Sequence, residues 1–289
     1  MRGIVISLRA ASALLAGLAL LAEGTALGQA PLPIFDTHIH YSKAAWESFP
    51  PKAVLEVWRK AGIERAVVSS SPDDGTVMLY EAAPERVVPF LRPYRDDVNS
   101  GNWHQDPNLI AYLTGRLARG IYKGIGEFHA FDADIFARPQ VRQMVALAAE
   151  RGLYLYIHSG AEPVRRLLAL DGRAKVFWAH AGMGEPPDVV GGLLDRYPAL
   201  ITETSFRASD IGAGGRLNPA WRTVLLKHKE RILIGADTYI TSRWADYGDI
   251  IGEHRRWLSQ LPPDAAEAIA WRNAVRLFGS GGLKALEKK

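Results

Sequence analysis

Residues 34–40 read I-F-D-T-H-I-H, an apolar opening that runs into two histidines spaced two apart. Its β-branched and aromatic residues favour a strand. The first strand of an open doubly wound sheet would run into a glycine-rich turn here. This chain places His38 and His40 there instead. Side chains two apart on a strand project to the same face, so the two imidazoles point the same way.

Outward from this stretch, short apolar runs alternate with longer amphipathic ones to the end of the chain. Strands are predicted at 34–40, 65–70, 87–94, 122–129, 153–159, 175–181, 200–206 and 231–238. Their lack of strict polar alternation suits parallel strands covered on both faces. Helices are predicted at 51–61, 107–119, 139–151, 161–170, 187–197, 219–229 and 243–258. The 139–151 segment starts with proline, sets Val141, Met144, Val145 and Ala148 on one face and stops at Gly152. A last helix is expected to open at Asp264 with Glu267 as its capping partner and to end near Gly279. Eight βα units in about 260 residues define an α/β fold, a (β/α)8 TIM barrel in a single domain. No repeat, linker or low-complexity stretch marks a second domain.

The 289 residues are 48% hydrophobic and 23% charged, which excludes a disordered or collagen-like chain. Residues 1–30 read as a signal peptide: Arg2 and Arg9 begin it, an apolar run spans 10–22, and small residues allow cleavage after Gly28 or Ala30. The run is short for a membrane span, an uncleaved anchor being the alternative. The expected mature domain is 31–289, exported to the periplasm or secreted, with no stable membrane anchor. The formal charge of +4 falls to +3 without Arg2, Arg9 and Glu23, and the basic residues form no stripe, which disfavours nucleic acid as a partner. There is no cysteine, so disulfides, thiolate ligands and a cysteine nucleophile are excluded. Any metal is held by nitrogen and oxygen.

Chemistry-bearing residues recur at the predicted strand ends. Glu127 lies late in the fourth (G-I-G-E-F-H), His158 late in the fifth (L-Y-I-H-S), His180 late in the sixth (F-W-A-H-A-G) and Asp237 late in the eighth (I-G-A-D-T). Taken singly, Asp237 has a helix cap as its alternative, and a buried histidine is more often a hydrogen-bonded core residue than a ligand. In a barrel these ends meet around one cavity. His38, His40, Glu127, His158, His180 and Asp237 are therefore candidate ligands of a shared metal.

With these residues together, the chain resembles the amidohydrolase superfamily of metal-dependent TIM-barrel hydrolases, and most closely its amidohydrolase 2 branch. D-T-H-I-H, G-I-G-E, I-H-S-G, A-H-A-G, I-G-A-D and W-R-N-A-V-R-L-F-G carry the likeness. The resemblance implies a divalent metal, zinc in the first instance, on His38, His40, His158 and Asp237. His180 is then a ligand of a second ion or an unliganded acid/base. Glu127 is similar to the bridging glutamate of the TatD-type branch. Lys123 lies at the wrong end of its strand for the carboxylated lysine of other members, which leaves one ion or two open.

The implied activity is hydrolysis of an ester, lactone, amide or phosphoester bond of a small substrate by a metal-activated water. Asp237 would accept the water proton, and His180 would serve the second ion or the developing oxyanion. The alternatives are a metal-dependent decarboxylase and a catalytically silent metal-containing binding protein. Substrate contacts are expected from Arg92, Tyr41, His129 and Arg207, with Tyr94, Arg95, Trp103, His104, Trp46 and Tyr239 nearby. The arginines either grip an anion or pair with Asp96, Asp97 or Asp210. His228 and His254 are assigned no chemistry, Trp58, Trp221, Trp257 and Trp271 are read as packing, and a homo-oligomer is left open.

Overall fold

The computed structural model describes residues 32–279; the expected leader lies outside them. In chain order the principal elements are β1 (Ile34–Ile39), α1 (Pro51–Ala61), β2 (Ile63–Val68), α2 (Asp74–Ala82), β3 (Val87–Leu91), α3 (Leu109–Leu117), β4 (Gly124–His129) and α4 (Pro139–Glu150). They continue with β5 (Tyr154–His158), α5 (Ala161–Leu168), β6 (Lys175–Trp178), α6 (Pro187–Arg196), β7 (Ile201–Glu203), α7 (Ala208–Ile211), α8 (Pro219–Lys227) and β8 (Ile232–Leu233). The chain then forms α9 (Ser242–Ala245), α10 (Tyr247–Leu258), α11 (Pro263–Glu267), a π turn at Ala268–Arg272 and α12 (Asn273–Phe278).

The strands form one parallel sheet in sequence order. It closes where the Thr37 N–H donates to the Ile234 carbonyl at 2.8 Å and the Asp237 N–H to that of His38 at 2.7 Å. This is the expected single-domain (β/α)8 barrel. Among the described residues no helix is long and apolar enough to cross a membrane.

Two irregularities set the site. Along β1, Asp36 pairs with Ala66 but Ile39 with Val68, so β1 carries one residue more than its partner. Along β4, Gly126 pairs with Tyr156 and Phe128 with Ile157, leaving Glu127 as the extra residue. A bulge shifts the phase of strand alternation and re-aims side chains. Phe35 thus faces the barrel interior while Ile39 faces the helices, and His38 and His40 still turn inward. Ile125 and Phe128 both face the helices, which frees Glu127 to point into the barrel.

Below the site the interior is filled by Phe35, Val67, Phe90, Tyr156, Phe177 and Leu233, with Phe278 of α12 closing the bottom. Tyr156 and Phe177 stack at 4.1 Å between centroids. These rings make the barrel a packed core rather than a pore, so access is from the C-terminal mouth.

All eight strands are where the pattern puts them, but β7 and β8 are far shorter than the apolar runs that signalled them. The runs continue as loops that carry functional side chains. The sequence reading gave no helix between β2 and β3. There α2 contains Gly75 and buries only Leu79 among its large apolar residues, too little for an amphipathic stripe. The expected 243–258 helix breaks at Asp246. The expected capping pair is also corrected: the last helical segment opens at Pro263, with no side-chain cap. Asp264 instead pairs with Lys229 and Arg272, and Glu267 with Arg272.

Candidate metal centre

The six candidate ligands meet at the mouth. His38 Nε2 lies 3.1 Å from His40 Nε2, and His40 Nε2 lies 3.1 Å from Glu127 Oε2. Asp237 Oδ1 is 3.5 Å from His40 Nε2 and 3.7 Å from His38 Nε2. The other Glu127 oxygen, Oε1, is 2.8 Å from His158 Nδ1 and 3.2 Å from His180 Nε2, and those two nitrogens are 3.0 Å apart. All are buried except His158, which is partly exposed.

The far nitrogens show what this cluster is for. His40 Nδ1–H donates to the Ser69 carbonyl at 2.5 Å, and His38 Nδ1–H to Glu203 Oε1 at 3.0 Å. His180 Nδ1–H donates to Ser205 Oγ at 2.7 Å, whose hydroxyl donates to Glu203 at 3.0 Å. In the neutral tautomer with its proton on the outer nitrogen, each of these three rings turns an Nε2 lone pair inward at contact distance. Lone pairs so placed repel one another unless a cation lies among them. Asp237 Oδ1 is likewise buried with no hydrogen-bond partner. A nitrogen and oxygen donor set with three of its outer nitrogens anchored fits a divalent metal.

Glu203, at the end of β7, is the functional residue that sequence reasoning missed. Fully buried, it accepts hydrogen bonds from His38 Nδ1, the His180 N–H (2.7 Å), the Ser205 N–H (2.5 Å) and the Tyr156 hydroxyl (3.2 Å). Burial alone would raise its pKa, but His38, His180 and these donors hold it below the ordinary carboxylate range. The signal available was the one charged residue in the run L-I-T-E-T-S-F at 200–206. Asp36 is a second omission: it accepts from the His38 and Ala236 N–H groups and from the Tyr247 hydroxyl at 2.5 Å, tying β1 to α10.

The backbone is strained where the ligands emerge. His180, Met183, Phe206 and Asp237 have φ of 57°, 56°, 60° and 53°, a region that costs non-glycine residues of order 1 kcal/mol or more each. Gly235 permits the close packing beneath: a Cβ there would lie 2.3 Å from Glu203 Oε2 and 2.8 Å from His38 Cβ.

Above the donors opens a cavity of about 470 Å³, lined among others by Arg92, Tyr94, His129, Phe206 and Tyr239. Arg92 donates from Nη2 to Glu127 Oε2 at 2.9 Å and from Nε to the Glu127 carbonyl at 3.1 Å. His129 stacks on His158 at 4.3 Å and meets the Tyr94 hydroxyl at 2.8 Å. Burial pushes its pKa down to about 3, so it is neutral at pH 7.

Five of the side chains expected at or near the substrate lie outside the cavity above the donors, Arg207 in the Asp210 pair that was its other reading. Tyr41 is fully buried and donates its hydroxyl to the Phe49 carbonyl at 2.8 Å, because two residues past the end of β1 it packs with Ile39 on the side of the helices. Trp46 packs beside it and donates to its carbonyl at 3.0 Å. Arg207 is spent within the fold, on the Ala181 and Glu185 carbonyls, Asp210 (2.9 Å) and the Trp221 ring. Arg95 pairs with Asp106 at 2.6 Å rather than with Asp96 or Asp97. Trp103 is also buried, donating to the His129 carbonyl at 2.8 Å.

Fold and site together define a metal-dependent hydrolase of the TIM-barrel class, one that activates water for attack on a small substrate. Residues 105–280 match the family described as amidohydrolase (Amidohydro_2), and the chain belongs to that family. No curated protein sequence matches it. Several solved structures share the fold. One, from Pseudomonas putida and provisionally identified as a 2-pyrone-4,6-dicarboxylic acid hydrolase, is 17% identical, with 86% of this chain and 98% of that one covered at a TM-score of 0.61. An amidohydrolase from Burkholderia multivorans is 16% identical, covering 85% and 98%, at 0.55. A TatD homolog from Escherichia coli is 15% identical, covering 85% and 97%, at 0.56.

Proposed function

We propose that the chain hydrolyses an ester or lactone bond of a small anionic substrate and holds two divalent cations, zinc being the first candidate. The observation that carries this is that the other five inward donors surround both oxygens of Glu127, with His38 between the two sides, 3.1 Å from His40 Nε2 and 3.6 Å from Glu127 Oε1. Glu127 Oε2 faces His40, beside Asp237, while its Oε1 faces His158 and His180. When bound, such a cation lowers the pKa of a coordinated water from about 15.7 to about 7 and polarises the substrate oxygen.

The rest is done by the chain. Asp237 Oδ1, with no other hydrogen-bond partner, accepts the proton of the attacking water and passes it to the leaving oxygen. Arg92 fixes Glu127 and brings a cation to the cavity wall, where it orients a substrate anion. His129 contacts substrate as a neutral hydrogen-bonding ring. Two divalent cations set against Glu127, Asp237, Glu203 and Arg92 leave net positive charge, which favours an anionic substrate. The pyrone hydrolase name given to the P. putida relative supports beginning with lactones, since a 2-pyrone is a cyclic ester.

Metal analysis with a hydrolysis screen tests the reading. Close to two equivalents of metal and solvent ¹⁸O in the product carboxylate are expected. Full activity with one equivalent would reject the second ion, and unlabelled product would favour decarboxylation. Asp237→Asn is expected to melt within a few degrees of wild type yet lose kcat about 1,000-fold; near-normal turnover would reject its role. We also propose export through the leader, which a mature protein beginning at Met1 would contradict.

A further inference from the structure

Large apolar side chains exposed over a third or more of their surface are confined, among the described residues, to Phe131, Met183, Phe206, Tyr239 and Ile240. All five stand on loops that follow ligand-bearing or adjoining strands at the mouth: β4, β6, β7 and β8. Scattered exposed apolar residues need no explanation, but their concentration at one rim does. Two of them, Met183 and Phe206, are held at positive φ, a strained backbone that a glycine would relieve while losing the side chain.

The rings are also held in place. The Arg243 guanidinium lies 4.1 Å from the Phe206 ring centroid and is itself fixed by the Asp237 and Ala236 carbonyls at 2.5 and 2.7 Å. Phe206 meets the candidate ligand His180 edge-on at 5.7 Å and Tyr239 at 5.9 Å. Across the barrel, Tyr94 and His129 line the same cavity from the β3 and β4 side. The ligand donors at the cavity floor are thus flanked by flat rings on both sides.

We infer that the substrate carries a flat apolar group, an aryl ring or its equivalent, seated between Phe206 and Tyr239 on one side and Tyr94 and His129 on the other. Its hydrolysed carbonyl then lies over the metal ligands. The inference rests on this cavity being the substrate site, and it adds what the substrate must contain.

Titration calorimetry of the zinc-loaded protein with 3-phenylpropanoate and with butanoate tests it. The two acids share a carboxylate and differ by a ring. The phenyl acid is expected to bind at least about tenfold more tightly, equivalent to about 1.4 kcal/mol. Phe206→Ala and Tyr239→Ala, each at an exposed rim position, are each expected to bring the ratio below about three without lowering the melting temperature. A wild-type ratio near one, no binding of the phenyl acid, or a tenfold ratio kept in both variants overturns the inference. So does loss of self-association in the variants with the ratio unchanged, which would make the rim a contact between copies. Failure to hydrolyse any ester or lactone while the ratio stays at ten would reject the bond assignment and leave the aryl inference standing.

Discussion

Glu203 decides which nitrogen of His38 faces the cavity, and through the His180 N–H and Ser205 it positions a second ring as well. A carboxylate behind a ligand imidazole fixes its tautomer and raises its basicity. Glu203→Gln keeps the shape but not the charge, and is expected to weaken metal retention about tenfold; Glu203→Ala is expected to weaken it toward 100-fold. Competition against a chromophoric chelator measures this, and unchanged affinity would show that the carboxylate only packs. The six inward ligands were legible because each lies late in a strand-like run. Glu203 was not, because nothing local in I-T-E-T-S-F says that its carboxyl will meet a ring 165 residues earlier.

At the scale of elements, the bulges in β1 and β4 and the glycine on the way out of β8 let the donors converge. Gly235→Ala is expected to cost about 1–3 kcal/mol by forcing its Cβ against Glu203 and His38. A urea melt would reveal it, and a change below about 0.5 kcal/mol would mean that β8 yields easily. On α10, fully buried His254 donates to the Gly235 carbonyl at 3.0 Å, and burial pushes its pKa down to about 4. Between pH 6.5 and 4 the unfolded chain therefore takes up a proton that the folded chain refuses. The stability present above pH 6.5 is lost on acidification, by up to about 3 kcal/mol from this residue. His254→Gln should flatten that part of the profile relative to wild type; parallel curves for the two proteins would sink the assignment. The sequence reading gave His254 no chemistry, and the structure adds its bond to the loop that carries Asp237.

Over the whole molecule, the inward lone pairs leave the barrel short of a positive charge. Zinc at about 100 times its dissociation constant should stabilise the metal-free protein by about 2.7 kcal/mol. That corresponds to a rise in melting temperature of roughly 5–10 °C for a domain of this size. Melts after chelation and after zinc is restored check this, and coincident curves would mean that the donors hold no metal.

The chain by itself determined the barrel, its eight strands and the set of groups at its mouth. Apolar periodicity and the residues late in each run are local properties, and a closed parallel barrel brings all such ends to one rim. Only the tertiary structure decided the extra residues in β1 and β4, the partner of each outer nitrogen, the ring of apolar side chains at the mouth, and the removal of Tyr41 and Arg207 from it. Those outcomes depend on which strands become neighbours and how closely their backbones approach, and no single segment encodes that distance.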